Sequence, residues 1–523
     1  MGIGRRGLLA GAVGALACPA LAQPDSRVLR FVPRGVLGDL DPIWASTAIA
    51  RNHGYLVWDT LYGRTARGVI MPQMAAGHEL SDDRLKWRFT LREGLYFHDG
   101  EPVLAQDCVA SIQRWAVRRG YGQKLLAQTR DIRALGDRQF TIRLTRPYPR
   151  MLDALGSDVC FIMPERVART DAFSQISDHV GSGPFRFEND EWEAGRRAVY
   201  SRFDSYAPAD GPPDFTSGAK LARFERVEWH AMSDAVEAEA ALLRGDVDWW
   251  QTPPLDRLAA LRANPKLSVA RHDPVGVVAL VALNHLQPPF DDAAVRQALL
   301  PALDQQRFVA AVMAAAPEPA RTGIGFFTPG QPCASTAGLE LLTGPRDLAR
   351  ARRMLAASGY AAEPAVLLSP TDNPHLRALT QATAELFTAV GLTVRVQPME
   401  WATLVQRRTS REPAGQGGWS AFCTTYEGLS VASPAGHLPL RGTGAAGWFG
   451  WPSSPRIEAL RDAWFDAPDL AGQRRACDDI QRAALGEVPY LPVGQWYGAT
   501  ALRTSVTDVI AAPFPIFWNA RRA

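Results

Sequence analysis

Few residues of this chain stand in patterns that are typical of catalysis. His98 and Asp99 could act as an acid–base pair. Asp246 and Asp248 would lie on one side of a strand, as a metal-binding or acid–base pair can. Both pairs also suit turns, the first at the end of a hairpin and the second between a helix and a strand. The Gly-Ser-Gly run at 181–183 lacks the spacing of a nucleophile elbow. We therefore interpret all of these residues as structural.

Other chemical motifs are missing from the sequence. There is no Walker phosphate-binding loop, no dinucleotide fingerprint and no zinc-protease helix. The six cysteines form no Cys-x-x-Cys pair, and their spacings suit no zinc site. We expect no enzymatic activity, no metal and no cofactor.

Tryptophan is abundant, with 15 residues, and several stand in loop-like contexts. Aromatic side chains line small-molecule sites because they give a large contact area at low entropic cost. For any single tryptophan, however, burial in a core is the interpretation that we prefer. The tryptophans in loop-like contexts are Trp44, Trp419, Trp448, Trp451, Trp496 and Trp518.

The first half of the chain is rich in predicted strands. Val28–Val32 is strand-like, and Leu85–Leu91 alternates apolar and polar residues, which is the pattern of a half-buried strand. Further strands are predicted within 138–145 and 184–200. An amphipathic helix is predicted from Ala105 to Val117, after the strand Leu85–Leu91 and before these two.

The second half alternates helices and strands. Val275–Asn284 is a continuous apolar run, which is consistent with a buried parallel strand. Predicted helices at 293–303, 346–357 and 376–390 alternate with predicted strands at 364–368 and 392–397. This succession indicates a second α/β lobe over about 275–485.

Length and composition fit a globular protein of two or three domains. The chain has 523 residues, of which 46% are hydrophobic, so a largely disordered chain is excluded. With 57 Lys and Arg against 54 Asp and Glu, the net charge is only +3. This balance gives no strong field for nucleic acid or for an anionic membrane.

The first 22 residues resemble a secretory signal peptide. Arg5 and Arg6 precede the short apolar run 7–17, and Ala20-Leu21-Ala22 has the form of a cleavage site. The paired arginines favour export by the twin-arginine route. A lipoprotein signal at Cys18 is the alternative. We expect a periplasmic protein.

Cleavage after residue 22 would leave a net charge of +1 and five cysteines. One disulfide is possible in an oxidising compartment, but the sequence cannot select the partners. We prefer the interpretation that the cysteines are buried free thiols that act as small hydrophobic residues. The five cysteines are Cys108, Cys160, Cys333, Cys423 and Cys477.

Many short segments together resemble the family 5 extracellular solute-binding proteins of ABC importers, the dipeptide, oligopeptide and nickel-binding group. The segments occur in the order of that family and cover nearly the whole chain after residue 22. They are Leu40-Asp41-Pro42, Leu61-Tyr62-Gly63, Leu85–Gly100, Glu101–Asp107, Gly181–Phe185, Leu243–Asp248, Leu283-Asn284, Pro289–Asp292, Val295–Ala298, Ala302–Asp304 and Ala349–Tyr360.

The resemblance implies an α/β fold of the two-lobed periplasmic binding protein type (class II), with an extra subdomain inserted in the first lobe. The core of the first lobe would comprise residues 23–61, 179–274 and 486–523. The inserted subdomain would comprise 62–178, and the second lobe 275–485.

The resemblance also implies a function. The two lobes would enclose a peptide-like or other medium-sized solute and deliver it to the membrane permease subunits of an ABC importer. We expect a monomer that does not bind nucleic acid. The alternatives are a secreted enzyme that has reused the fold and a binder of nickel chelates.

Both anchors of a free dipeptide are in doubt. In the dipeptide binders, an Asp shortly after a Gly-Trp pair holds the peptide amine. An uncharged residue takes this place after Gly418-Trp419, and Glu427 is the nearest acid. An Arg before an Asn-Pro pair holds the carboxylate in those binders, and no Arg stands in the segment 370–372 before Asn373-Pro374.

Seven residues are the candidate ligand contacts. The strongest candidates are Trp419, Tyr426 and Glu427, followed by Thr424, Trp44, Trp496 and Tyr497.

His437 falls near the position of a ligand histidine in the nickel binders, although a lone loop histidine is more often incidental. We predict no metal site.

Overall fold

The computed structural model describes residues 26–45, 47–157, 159–314 and 318–523. The predicted export signal at 1–22 lies outside the described residues. The strands are β1 Val28–Val32, β2 Tyr62–Arg64, β3 Ile70–Pro72, β4 Ala75–Leu80, β5 Lys86–Leu91, β6 Thr129–Ala134, β7 Gln139–Leu144, β8 Phe185–Phe187, β9 Arg197–Arg202, β10 Arg226–His230, β11 Trp249–Trp250, β12 Leu267–Ala270, β13 Val277–Leu283, β14 Ala320–Arg321, β15 Ala365–Pro370, β16 Val394–Met399, β17 Ala421–Glu427, β18 Tyr490–Trp496, β19 Thr500–Arg503, β20 Val506–Thr507 and β21 Arg521–Arg522. The α-helices are α1 Ala48–Val57, α2 Ala105–Arg118, α3 Gly120–Leu126, α4 Met151–Ser157, α5 Glu165–Ala168, α6 Ala235–Arg244, α7 Leu258–Arg262, α8 Ala293–Leu299, α9 Gln305–Met313, α10 Glu340–Thr343, α11 Leu348–Ala357, α12 Pro374–Val390, α13 Trp401–Arg407, α14 Pro455–Asp466 and α15 Leu470–Glu487.

The first lobe is built around a seven-stranded sheet in the order β12-β19-β11-β1-β10-β9-β8. The predicted strand Val28–Val32 is confirmed as β1, which lies inside this sheet and is largely buried. It pairs in parallel with β10 and β11, whereas the other pairs are antiparallel. Because β1 and β11 are parallel, their carboxyl ends lie at the same edge of the sheet.

The second lobe contains a six-stranded sheet in the order β14-β18-β13-β17-β15-β16. Strand β13 corresponds to the apolar run predicted at 275–284, but it pairs antiparallel with both β17 and β18. The prediction of a parallel strand is therefore wrong. An apolar run reflects burial of both faces of a strand, and burial does not determine the direction of its neighbours.

The chain passes between the two sheets at residues 271–276 and again at 497–499. The predicted division at 274/275 falls within the first of these crossings. The predicted division at 485/486 comes before the second, because β18 pairs with β13 and β14 in the second sheet. Two short crossings side by side are the usual construction of a hinge between lobes.

The subdomain inserted in the first lobe contains a four-stranded antiparallel sheet, in the order β4-β5-β7-β6, and helix α2. A fully buried ion pair joins it to the rest of the lobe. Arg114 in α2 donates from both terminal nitrogens to the two carboxylate oxygens of Asp41, at 3.2 and 2.6 Å. The same carboxylate accepts the backbone N–H groups of Ile43, Trp44 and Ile176. Asp41 therefore orients a loop of the lobe and attaches the subdomain to it.

His98 and the glycine-rich motif at 181–183 form one structural unit. The backbone N–H of Gly181 donates to Nδ1 of His98 at 3.1 Å, and Nε2 lies 3.0 Å from the carbonyl oxygen of Gly183. Nδ1 therefore accepts and Nε2 carries the proton. Burial lowers the pKa of His98 to about 4, so the ring is neutral near pH 7. These contacts assign His98 a structural role.

The two aspartates at 246 and 248 lie in different environments. Asp248 is buried and accepts the backbone N–H of Arg30 at 2.9 Å and a guanidinium N–H of Arg522 at 2.8 Å. Asp246 is exposed and pairs with Arg244. They do not form a common site.

Replacing Gly181 by Ala should destabilise the fold by about 1–3 kcal/mol. A Cβ atom at this position would lie 1.9 Å from the carbonyl oxygen of Val57, which is rigid helix backbone. Urea unfolding measures the loss. Gly77→Ala is the matched control because a Cβ there meets nothing within 4 Å, and equal stability of the two variants would contradict this packing argument.

Candidate ligand-binding site

A pocket opens between the two lobes, beside both crossings of the chain. Its walls come from the ends of β1, β11 and β17, from the two crossings, and from a segment near the C-terminus. The lining residues are Arg34, Trp249, Gln251, Thr252, His272, Asp273, Val277, Glu427, Gly498, Ala499, Thr500, Ile510, Ala512, Pro513, Phe514 and Pro515.

The first lobe contributes polar groups from the carboxyl ends of its parallel strands. Arg34 comes shortly after β1, and Gln251 comes directly after β11. The backbone N–H of Arg34 donates to Oε1 of Gln251 at 2.8 Å, which ties the two strand ends together. Within the described part of the chain, the exposed guanidinium of Arg34 has no ion-pair partner, so it is available to an anionic group of a ligand.

An ion pair joins the two lobes beside the pocket. Arg51 in α1 of the first lobe donates to the carboxylate of Glu427, the last residue of β17, at 2.7 and 3.4 Å. Both side chains are mostly buried, with 17% and 16% exposed. The Arg51 guanidinium also lies 4.5 Å from the ring centroid of Phe514, a cation–π contact with the pocket wall. Glu427 therefore joins the two lobes as well as lining the site.

The first crossing places His272 and Asp273 in the pocket. Oδ1 of Asp273 accepts the backbone N–H of Val275 at 2.7 Å. Burial raises the pKa of Asp273, and the charge of nearby Glu427 raises it further. Burial lowers the pKa of His272, and its buried Nδ1 has no hydrogen-bond partner among the described residues. A ligand with a polar group here would satisfy that atom.

Asp273→Asn should raise the stability of the ligand-free protein at pH 7.5. Because the pKa of Asp273 is higher in the folded protein, its ionisation costs stability as the pH rises through and above its ordinary value of 3.8. The amide retains the oxygen that accepts from Val275 but carries no charge. The urea midpoints of variant and wild type should differ at pH 7.5 and converge near pH 4. A gap that widens on acidification would contradict the assigned cause.

Trp419, the first of the predicted contacts, lies in the core of the second lobe. It has no exposed surface, packs against Phe422 and Trp451, and donates its indole N–H to the carbonyl oxygen of Arg408 at 3.1 Å. The structure thus assigns it a packing role, and its contact with a ligand stays a prediction.

Thr424 and Tyr426 lie on β17 just before Glu427. Thr424 is buried, and the ring of Tyr426 is half-buried with its centroid 5.8 Å from that of Trp448. Burial raises the pKa of the Tyr426 hydroxyl. Because side chains alternate along a strand, both point to the opposite face from Glu427. Neither lines the interlobe pocket.

The other predicted aromatic contacts are spread around the hinge and the first lobe. Trp496 ends β18, and its ring lies 6.4 Å from the ring of His375. Tyr497 begins the second crossing and lies under the guanidinium of Arg271, at 4.6 Å. Trp44 is half-buried, and its carbonyl oxygen accepts from Arg118 in the inserted subdomain at 2.9 Å. Among the seven candidates, the structure places Glu427 in the pocket wall.

His437 is fully buried in the second lobe. Its Nε2 lies 3.0 Å from the hydroxyl oxygen of Tyr490, and burial lowers its pKa to about 3. Among the described residues, no group of three or more His, Cys, Asp or Glu side chains is arranged to hold a metal ion.

Sequence reasoning missed Arg34, Arg51, His272 and Asp273. A signal existed for Arg34, because polar residues just after a buried parallel strand tend to lie at the ligand-binding edge of a sheet. Arg51 gave no such signal, since its partner Glu427 is 376 residues away in the sequence.

The chain is similar to three known proteins. The DppA periplasmic binding protein of an ABC transporter from Helicobacter pylori, solved in complex with the peptide STSA, superimposes with a TM-score of 0.76 at 19% identity, over 95% of this chain and 98% of that chain. A probable peptide ABC transporter periplasmic-binding protein, y4tO of Sinorhizobium fredii, is 32% identical over 99% of this chain and 98% of its own. The glutathione-binding protein GsiB of Pectobacterium atrosepticum is 24% identical over 99% and 98%.

The fold and the interlobe pocket thus define a two-lobed binding protein of the periplasmic type, with an inserted subdomain. The model of the bacterial extracellular solute-binding proteins, family 5 (middle region), matches residues 69–426. The chain belongs to this family of solute-binding proteins and is homologous to the periplasmic-binding proteins of peptide ABC transporters.

Proposed function

We propose that this chain captures a zwitterionic, peptide-like or other medium-sized solute between its lobes and delivers it to the permease of an ABC importer. The interlobe pocket carries this proposal, because both lobes and the hinge present charged or hydrogen-bonding groups to the same space.

The polar groups of the pocket favour a solute with charges of both signs. Among the described residues, the guanidinium of Arg34 forms no ion pair, and Nδ1 of His272 has no hydrogen-bond partner. Glu427 can accept from a cationic group, although it is already paired with Arg51. A solute that contacts both walls stabilises the closed form and thereby shifts the open–closed equilibrium.

The predicted signal peptide supports export, and we place the mature protein in the periplasm as a monomer without affinity for nucleic acid. Within the described residues, every helix is too short or too polar to cross a bilayer. The names of y4tO and GsiB, a peptide transporter component and a glutathione binder, support a peptide-like solute. The solute is handed over chemically unchanged.

Thermal-shift screening of the mature protein tests this proposal. The panel contains dipeptides, oligopeptides, glutathione, amino-acid conjugates and nickel–histidine chelates. A solute at about 100 times its Kd stabilises the folded state by roughly 2.7 kcal/mol, which raises the unfolding midpoint. A shift confined to peptide-like solutes is expected. No shift with any class, or a shift with nickel chelates alone, would contradict the proposal.

Mass analysis of the stabilising solute after overnight incubation tests for hidden catalysis. We expect it to be recovered intact. Hydrolysis or modification that requires the folded protein would assign the chain to the enzymes.

A further inference from the structure

Cys333 and Cys477 are brought together by the fold of the second lobe. Cys333 lies in the segment 328–339, and Cys477 lies in the middle of α15. The side chains are neighbours: contact with Cys477 lowers the pKa of the Cys333 thiol, and contact with Cys333 raises the pKa of the Cys477 thiol. Both side chains are buried, with 3% and 0% exposed, and both are reduced in this structure.

Contacts on both sides of Cys333 hold its segment in register with α15. Before it, Nε of Arg474 donates to the carbonyl oxygen of Pro332 at 3.3 Å. After it, the hydroxyl of Ser335 donates to Oδ1 of Asp478 at 2.6 Å. One turn further along α15, the side-chain amide of Gln481 donates to the carbonyl oxygens of Ser335 and Ala337 at 3.0 and 2.9 Å. The contacts on either side of the two cysteines therefore hold their thiols next to each other.

Another cysteine has a different partner. Sγ of Cys423 lies 3.2 Å from the hydroxyl oxygen of Thr383, which is the arrangement of a buried free thiol. The contact between Cys333 and Cys477 thus selects one pair from the five cysteines that follow the predicted signal peptide.

We propose that Cys333 and Cys477 form an intramolecular disulfide when the chain folds in the presence of a disulfide oxidant. A thiolate of one cysteine attacks the oxidant and releases one thiol, and the second cysteine then displaces the other. One Sγ–Sγ bond forms, two protons are lost, and the oxidant disulfide is reduced to two thiols. Because both sulfurs are buried in the finished fold, the exchange takes place before the segment has fully docked on α15.

The cross-link would also support the pocket. The segment begins at Thr328, whose hydroxyl donates to the carbonyl oxygen of Gly428 at 2.6 Å, directly after Glu427. Fixing the segment to α15 therefore stabilises the end of β17. In the cell this step depends on the proposed export, whereas the test below does not.

Oxidative refolding tests the proposal. The reduced mature protein is refolded from urea in a glutathione redox buffer, denatured, alkylated with iodoacetamide, and weighed by mass spectrometry. We expect three alkylated cysteines out of five and a cross-linked peptide pair that contains Cys333 and Cys477. Reduction should lower the unfolding midpoint of the oxidised protein by about 3 °C or more.

Serine variants provide the controls. Cys477→Ser should leave all four remaining cysteines alkylated and make the unfolding midpoint insensitive to reductant. Cys423→Ser should keep the cross-link, with two alkylated cysteines. Five alkylated cysteines in the refolded wild type, or a cross-link between any other pair, would overturn the proposal. If a variant fails to fold, the number of alkylated cysteines and the cross-linked peptides of the wild type still show whether the disulfide forms.

Discussion

Glu427→Gln should weaken solute binding by at least about 30-fold, equivalent to roughly 2 kcal/mol. Glu427 lines the pocket and pairs with Arg51 across the lobes, so the neutral amide weakens an interlobe contact that would favour the closed form. A smaller closed population lowers the apparent affinity in proportion. Isothermal titration with the solute found by screening measures the change.

A control variant and a double-mutant cycle show whether the loss of affinity is specific to this ion pair. Asp479→Asn makes the same change of charge in an exposed pair with Arg482 and should leave the affinity unchanged. In a double-mutant cycle, Arg51→Ala should have little further effect once Glu427 is replaced by Ala. An unchanged affinity in Glu427→Gln would remove this pair from the binding mechanism.

Asp41→Asn should destabilise the protein by about 3–5 kcal/mol. The carboxylate of Asp41 has no exposed surface, and its hydrogen bonds within the described part of the chain all come from N–H donors: three backbone groups and the guanidinium of Arg114. An amide would turn an NH₂ group toward donors and leave the buried charge of Arg114 without the carboxylate that balances it. Urea unfolding followed by circular dichroism measures the loss.

Glu193→Gln is the control for this variant, because its pair with Arg196 is exposed and should contribute less than about 1 kcal/mol. The double variant Asp41→Asn with Arg114→Met should be more stable than Asp41→Asn alone, since it no longer buries an unpaired charge. Similar stabilities of Asp41→Asn and Glu193→Gln would show that the subdomain is not held by this ion pair.

Local patterns in the sequence predicted much of the fold. The alternation in 85–91 corresponds to β5 (Lys86–Leu91), and the amphipathic stretch 105–117 corresponds to α2 (Ala105–Arg118). The spacing of apolar residues along a segment reflects which of its faces is buried, and this spacing can be read from the segment alone. Strand direction depends on distant partners, which is why β13 was predicted parallel but is antiparallel.

The site was harder to predict than the fold because its residues come from distant segments. Arg34, Asp273 and Glu427 meet only after both crossings of the hinge have formed. Residue type gave a poor guide to aromatic contacts, since Trp419 is as suited to a core as to a pocket. Glu427 was predicted because it is the acid nearest to the position at which the dipeptide binders hold the peptide amine.

Capture of a solute between the lobes is tested most directly by native mass spectrometry of the protein isolated from the compartment where it accumulates. We expect the wild type to carry a small solute of defined mass, which is lost on denaturation to leave a chain that begins near Gln23. The Glu427→Gln protein, prepared in parallel, should carry little or none of it. A wild type without any bound solute, or equal occupancy in the two proteins, would contradict capture at this pocket.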